Sequence, residues 1–122
     1  MKIDLQIMEA AADDASELLK ALANRHRLLI LCQLIDGEKS VGQLAEYLGI
    51  RDSTVSQHLA LLRRDRLIAG RRDGQMIWYR IQSEPARNVL TILYESFCEP
   101  RVAKAAAASE GPAIGRRKAP QN

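Results

Sequence analysis

The run Asp52-Ser53-Thr54-Val55-Ser56-Gln57-His58 places three hydroxyls and a side-chain amide within five positions. At the start of a helix, small hydroxyl residues let the backbone come close to a phosphate, and the unpaired first-turn amides attract anions. Gln57 can donate and accept a hydrogen bond together, which suits a base edge in a DNA major groove, adenine by preference. Thr54, Ser56 and Gln57 are therefore candidate base-edge contacts. Ser53, Arg63 and Arg64 are candidate phosphate contacts, which position a complex without specifying its sequence. His58 completes the candidate set, with packing, phosphate and base contacts all open to it. The same residue types also fit an ordinary surface helix with a Ser/Thr cap.

A second basic group is Arg71-Arg72-Asp73-Gly74-Gln75. Two arginines at a hairpin tip suit a minor groove or flanking phosphates, and on an edge strand they would also guard against aggregation. Residues 51–80 hold seven arginines and three aspartates, or +4, in a chain whose net charge is +3. A basic segment on a nearly neutral body is the footprint of a phosphate-facing surface, although a solvated charged face has the same composition. The two thiols, Cys32 and Cys98, are expected to be reduced and are open to packing, metal-ligand or redox roles. Burial of Cys32 and the negative end of a helix at Cys98 would both disfavour a thiolate.

The elements that must hold these residues follow from hydrophobic spacing. Met8, Ala12, Ala15, Leu18, Leu19 and Leu22 recur at three- and four-residue steps and predict a helix over residues 7–23, broken at Asn24. LLILCQLI predicts a buried helix over residues 25–35, stopped by Asp36-Gly37. Ser40-Val41-Gly42-Gln43 is a capping box opening a helix whose apolar face is Val41, Leu44, Ala45 and Leu48, ended by Gly49. Asp52 or Ser53 can cap the next helix, which turns Val55, Leu59 and Leu62 inward and ends near Asp65. Strands over 67–72 and 75–81 flank Asp73-Gly74, with Ile77, Tyr79 and Ile81 facing the core and Met76, Trp78 and Arg80 facing away. Ser83 and Pro85 open a last helix with Val89, Leu90, Leu93 and Phe97 as its buried stripe and Cys98 at its end. This order, ααααββα, is mainly α with a β-hairpin wing: a winged helix-turn-helix in residues 1–100. Residues 101–122 are expected to be a disordered tail, whose Arg116-Arg117-Lys118 is left out of the site set.

At 122 residues the chain is one domain, and no apolar run approaches the ~18 residues of a membrane span. The acidic turn in MKIDLQIMEAAADD argues against a secretory signal, so a cytoplasmic protein without membrane contact is expected. No Gly-rich phosphate loop, histidine–carboxylate cluster or nucleophile motif is present, so an enzyme is not expected.

The stretch RLLILCQLIDGEKSVGQLAEYLGIRDSTVSQHLALLRRDRLIAGRRDGQMIWYRI resembles the ArsR-type repressors, the arsenic- and metal-responsive winged-helix family. The similarity spans residues 18–98, and STVSQHLALLR followed by GQMIWYRI carries most of its specificity. The resemblance implies a homodimer through the first and last helices, bound to palindromic double-stranded operator DNA with two recognition helices in successive major grooves. Arg25 stands where members often have Pro, a difference of little consequence inside a helix. Ser40 and Gly42 occupy the positions of the family's cysteine pair, and residues 85–98 hold no histidine or aspartate, only Glu95, for its other metal site. No metal or other cofactor is therefore expected. Cys32 and Cys98 resemble the dithiol branch of the family, in which one cysteine on each of these helices closes a disulfide or polysulfide bridge. That resemblance implies a repressor that senses reactive sulfur species or oxidants by bridging Cys32 to Cys98 and thereby loses operator affinity. Two other readings stay open: a winged-helix regulator with passive cysteines and a different inducer, and a protein-interaction module facing an acidic partner.

Overall fold

The structure, a computed structural model, describes residues 1–108. Its elements are α1 (Leu5–Leu22), α2 (Arg25–Ile35), α3 (Val41–Leu48), α4 (Asp52–Arg64), β1 (Ile68–Asp73), β2 (Met76–Ile81), α5 (Glu84–Leu93), a π-helical turn (Tyr94–Cys98) and α6 (Glu99–Ala108). The expected order ααααββα is present, with α6 beyond it. Residues 101–108, read from the sequence as tail, are helical, and the expectation of disorder over 109–122 lies outside the described residues.

Short side chains set the helix starts. Asp4 caps α1 by accepting from the amides of Gln6 and Ile7, so the helix begins two residues before its first expected member. Asn24 does more than break α1: its Oδ1 accepts from Arg27 N at 3.0 Å and opens α2. Arg27 then turns back, donating from Nε to the Ala21 carbonyl at 2.8 Å, which satisfies an orphan acceptor at the end of α1. The capping box of α3 is formed as expected, with Gln43 N donating to Ser40 Oγ and Ser40 N donating to Gln43 Oε1. Gly49, at φ +70°, closes α3 in the left-handed conformation that a side chain would penalise.

The core sits around α2. Ile30, Leu31 and Leu34 are fully buried with Leu44, Val55, Leu59 and Leu62 from α3 and α4, Ile68 from the hairpin and Leu90 from α5, and Ile81 is buried beside them. Tyr79 is buried and Ile77 half-buried, while Met76 and Arg80 are exposed, as the alternation predicts. Trp78, expected outside, is half-buried. The antiparallel register pairs Ile68 with Ile81 and Asp73 with Met76, leaving Gly74-Gln75 as the loop. The turn is thus one residue later than Asp73-Gly74, and Gly74 at φ +66° is its residue with positive φ. A glycine at the first central position is the type II′ pattern.

The last helix departs most from expectation. Leu90 and Ala86 are buried, but Phe97 of the expected stripe is 59% exposed. The helix does not stop at Cys98; it widens into a π-helical turn, with Glu99 N donating to Tyr94 O, and continues as α6. Pro100 explains the widening. It lacks the amide that would bond the carbonyl four residues back, and its ring crowds that carbonyl. A shift to i→i+5 bonding just before it lets the helix pass through.

Candidate nucleic-acid interface and thiol pair

The start of α4 offers donors to an anion. Arg51 is its N-cap and makes no side-chain capping bond, so neither Asp52 nor Ser53 acts as the expected cap. Asp52 lies inside the first turn, where its charge complements the helix dipole. Ser53, Ser56 and Gln57 are exposed and Thr54 half-exposed, on the side away from buried Val55, Leu59 and Leu62. Arg63 and Arg64 are exposed at the other end of the helix, and Arg64 Nε lies 3.4 Å from Asp65 Oδ1. This face can admit a phosphate at the helix start and place a hydrogen-bonding amide and hydroxyls in a groove.

His58 departs from that face. It is half-buried and stands edge-on to His26, with ring centroids 5.8 Å apart, and its buried Nδ1 has no hydrogen-bond partner. Burial first, then the charges of Arg27 and His26, hold its pKa below the ordinary histidine value. The two histidines, from α2 and α4, are thus neighbours in the fold. Among the described residues, no three of His, Cys, Asp and Glu converge on a place that could hold a metal ion.

The wing is held to the body by two contacts. Lys39 pairs with β2 as an extra bridge: its amide donates to Tyr79 O at 3.1 Å and Tyr79 N donates to its carbonyl at 2.9 Å. Beside it, Arg71 Nε lies 3.0 Å from each Glu38 carboxylate oxygen, with Nη2 2.9 Å from Oε1. The guanidinium keeps the Glu38 carboxyl below its usual range, and the carboxylate in turn raises the Arg71 pKa. Of the two wing arginines singled out in the sequence, Arg71 is therefore engaged and Arg72 is exposed. Glu38 carries no sequence signal, because its partner is 33 residues away.

Cys32 and Cys98 are both free and half-buried. They lie on α2 and the π-helical turn, near enough to feel each other's charge: burial pushes the Cys32 thiol above its ordinary pKa, and Cys98 adds to the shift. Cys98 does not sit at a helix C-terminus, because α6 continues beyond it. Tyr47 of α3 joins this neighbourhood. Its hydroxyl is buried without a hydrogen-bond partner, and its pKa is pushed up to about 12 by burial first and Cys32 second.

Two exposed apolar faces complete the surface. Leu5, Met8 and Leu19 of α1 are exposed, as are Ile92, Tyr94, Phe97 and Val102 along residues 92–102. Among the described residues no helix is long and apolar enough to cross a membrane.

Residues 24–69 match the family described as bacterial regulatory protein, arsR family. The chain is 42% identical over 97 residues to the transcriptional activator HlyU of Vibrio cholerae, covering 80% of this chain and 90% of that one. Its fold is similar to the crystal structure of the transcriptional repressor BigR from Xylella fastidiosa, with TM-score 0.74, 36% identity, and coverage of 79% of this chain and 98% of that chain. It is also similar to a homodimeric winged helix-turn-helix DNA-binding domain from Mycobacterium bovis, with TM-score 0.63, 28% identity, and coverage of 93% and 97%.

Proposed function

This chain belongs to the arsR family of bacterial regulatory proteins, a regulator and not an enzyme, and on that premise we propose that it is a thiol-sensing repressor. Two copies, joined through the exposed apolar faces of α1 and residues 92–102, bind a palindromic operator. Thr54, Ser56 and Gln57 reach base edges, while Ser53, Arg63, Arg64 and Arg72 contact phosphates. A homodimer bound through one such surface to a two-fold operator would place the two α4 helices one helical turn apart.

The observation that carries the sensing reading is a pair of free, half-buried thiols, Cys32 and Cys98, on separate elements and within electrostatic reach of each other. One thiolate attacks the sulfane sulfur of a persulfide RSSH, which becomes a protein persulfide while the thiol RSH leaves. The second thiolate then attacks the protein-bound sulfur, closing a disulfide and expelling hydrosulfide. Two cysteine thiols are oxidised, and the persulfide is reduced to RSH and hydrogen sulfide. Further sulfur atoms in the bridge would relax the Cα separation of about 4.4–6.8 Å that a disulfide demands.

The test is operator affinity at fixed salt, reduced and after treatment with a persulfide donor, for wild type and Cys98→Ser. A several-fold loss in wild type that the variant does not share supports the switch, and intact mass counts the bridging sulfurs. Unchanged binding by bridged wild type refutes it.

A further inference from the structure

Arg71 was singled out in the sequence as a DNA contact, and its geometry argues otherwise. One edge of its guanidinium is engaged: Nε and Nη2 face the two oxygens of Glu38, while Nη1 lies 3.9 Å from Asp73 Oδ2, an ion-pair contact longer than a hydrogen bond. A planar fork matched to one carboxylate in this way is held in orientation by it, and turning that edge to a phosphate would break the match. Glu38 is the residue before Lys39, whose backbone pairs with Tyr79 in both directions. The ion pair and the backbone bridge therefore fasten the wing to the same two-residue segment, which follows α2 after Asp36-Gly37. Lys39 anchors that segment further, its Nζ donating to the Gln33 and Gly37 carbonyls at 3.3 and 3.4 Å.

The pair is open to solvent, and an isolated surface pair of this kind is readily exchanged. Nearby DNA works against exchange. If Arg71 moved to a phosphate, the Glu38 carboxylate would be left short of its partner beside a polyanion, with Arg80 as its other neighbouring cation. Keeping the pair intact lets the wing approach DNA with no bare carboxylate at its base.

We propose that Arg71 sets the attitude of the wing rather than touching DNA, that Glu38 is its positioning residue, and that Arg72 makes the wing's phosphate contact. This rests on the operator reading above. Glu38 acts through Arg71, so exchanging the two charges should preserve function, whereas a phosphate-contacting arginine has no such substitute.

The experiment uses a duplex enriched by the wild-type protein from a random pool, with affinity measured across a salt series. Arg71→Glu is expected to weaken binding at least several-fold. Adding Glu38→Arg rebuilds the pair in reverse and should return affinity to within a few-fold of wild type, with the wild-type salt slope. Glu38→Arg should not rescue Arg72→Glu, a combination of the same net charge in which no pair is rebuilt. Arg72→Gln should lower the slope of log K against log salt by about 0.9 for each phosphate contact removed, and Arg71→Gln should not. In the free protein, hydrogen exchange at the wing amides should quicken in Arg71→Glu and slow again in the swap, which separates wing attitude from overall unfolding. The proposal falls if the swap binds no better than Arg71→Glu, if it rescues both combinations equally, or if Arg71→Gln lowers the slope as Arg72→Gln does. A wild type that enriches no duplex overturns the operator reading and this inference together, whereas a binding wild type with a failed swap overturns this inference alone.

Discussion

Tyr47→Phe is expected to stabilise the protein, against the usual trend for substitutions in a packed region. The Tyr47 hydroxyl is buried and has no hydrogen-bond partner. Such a group forgoes its water contacts without replacing them, at a cost of about 1–3 kcal/mol. Phenylalanine keeps the ring and removes the hydroxyl, and the two residues have similar helix propensities. A gain of about 1 kcal/mol would raise Tm by about 4–8 °C in a domain of this size. Urea unfolding near neutral pH should show a higher midpoint at unchanged slope. The phenol supplies a second readout through its pKa of about 12 in the fold, against about 10 when unfolded. Over that window the unfolded chain ionises first, so stability is full below about pH 10 and declines as pH rises towards 12. The phenylalanine variant should lack that component. A Tyr47→Phe protein less stable than wild type by about 1 kcal/mol would refute the reasoning, and would mean that the hydroxyl has a partner in solution.

Gly70 faces Tyr79 across the hairpin, and a Cβ there would stand 3.0 Å from Ile77 Cγ2 and 3.2 Å from Tyr79 Cε1. Gly70→Ala should therefore cost about 1–3 kcal/mol, read as a lower Tm, and should weaken operator binding by displacing the wing. Because the fold disfavours charged His58, stability should be full above about pH 6.5 and decline as pH falls and the unfolded chain takes up the proton first. In His58→Gln the difference in Tm between about pH 7.5 and about pH 5.5 should shrink. Ile92 and Phe97, both 59% exposed, should be covered in the dimer, so Ile92→Glu with Phe97→Glu should give a monomer by sedimentation with weakened operator binding.

Features with short sequence range were legible before the structure. The Ser40–Gln43 capping box and the Gly49 stop are written within ten residues, and α2 declares its burial through an apolar run broken only by Gln33. The Asp-Gly hairpin was legible in kind but not in register, because Asp-Gly does not distinguish a glycine at the first central position from one at the second. The sequence leaves His58 open between packing and DNA contact, and the fold gives it packing. It follows Val55 by three and precedes Leu59 by one, which puts it on the flank of the buried stripe, close enough for His26 to claim it. The last helix is expected to end at Cys98, but the missing amide of Pro100, which disfavours ordinary helix there, is accommodated by a π-helical turn that carries the helix past it. The Glu38–Arg71 pair and the Tyr47–Cys32 neighbourhood join residues distant in sequence, and single-sequence periodicity holds no record of such contacts.

The position of that π-helical turn predicts where a Cys32–Cys98 bridge would make itself felt. Cys32 lies on α2, which touches α1, α3, α4, β2 and α5. Its neighbours Leu31 and Leu34 are locked in the core, and close packing resists their displacement. Cys98 ends a segment already bonded i→i+5, where reverting to i→i+4 bonding changes the helix register locally. Strain from closing a bridge should therefore be taken up on the Cys98 side. Ile92, Tyr94, Phe97 and Val102 are exposed there, so the displacement reaches the proposed dimer face before it reaches α4. The bridge would then act by resetting the spacing of two intact recognition helices. A coupling of about 1–3 kcal/mol delivered in this way is a change of about 5- to 150-fold in operator affinity. Hydrogen exchange on reduced and bridged protein should show its largest changes over residues 92–108, with residues 53–58 little altered. Changes concentrated in α4, with 92–108 unmoved, would place the response in the recognition helix itself.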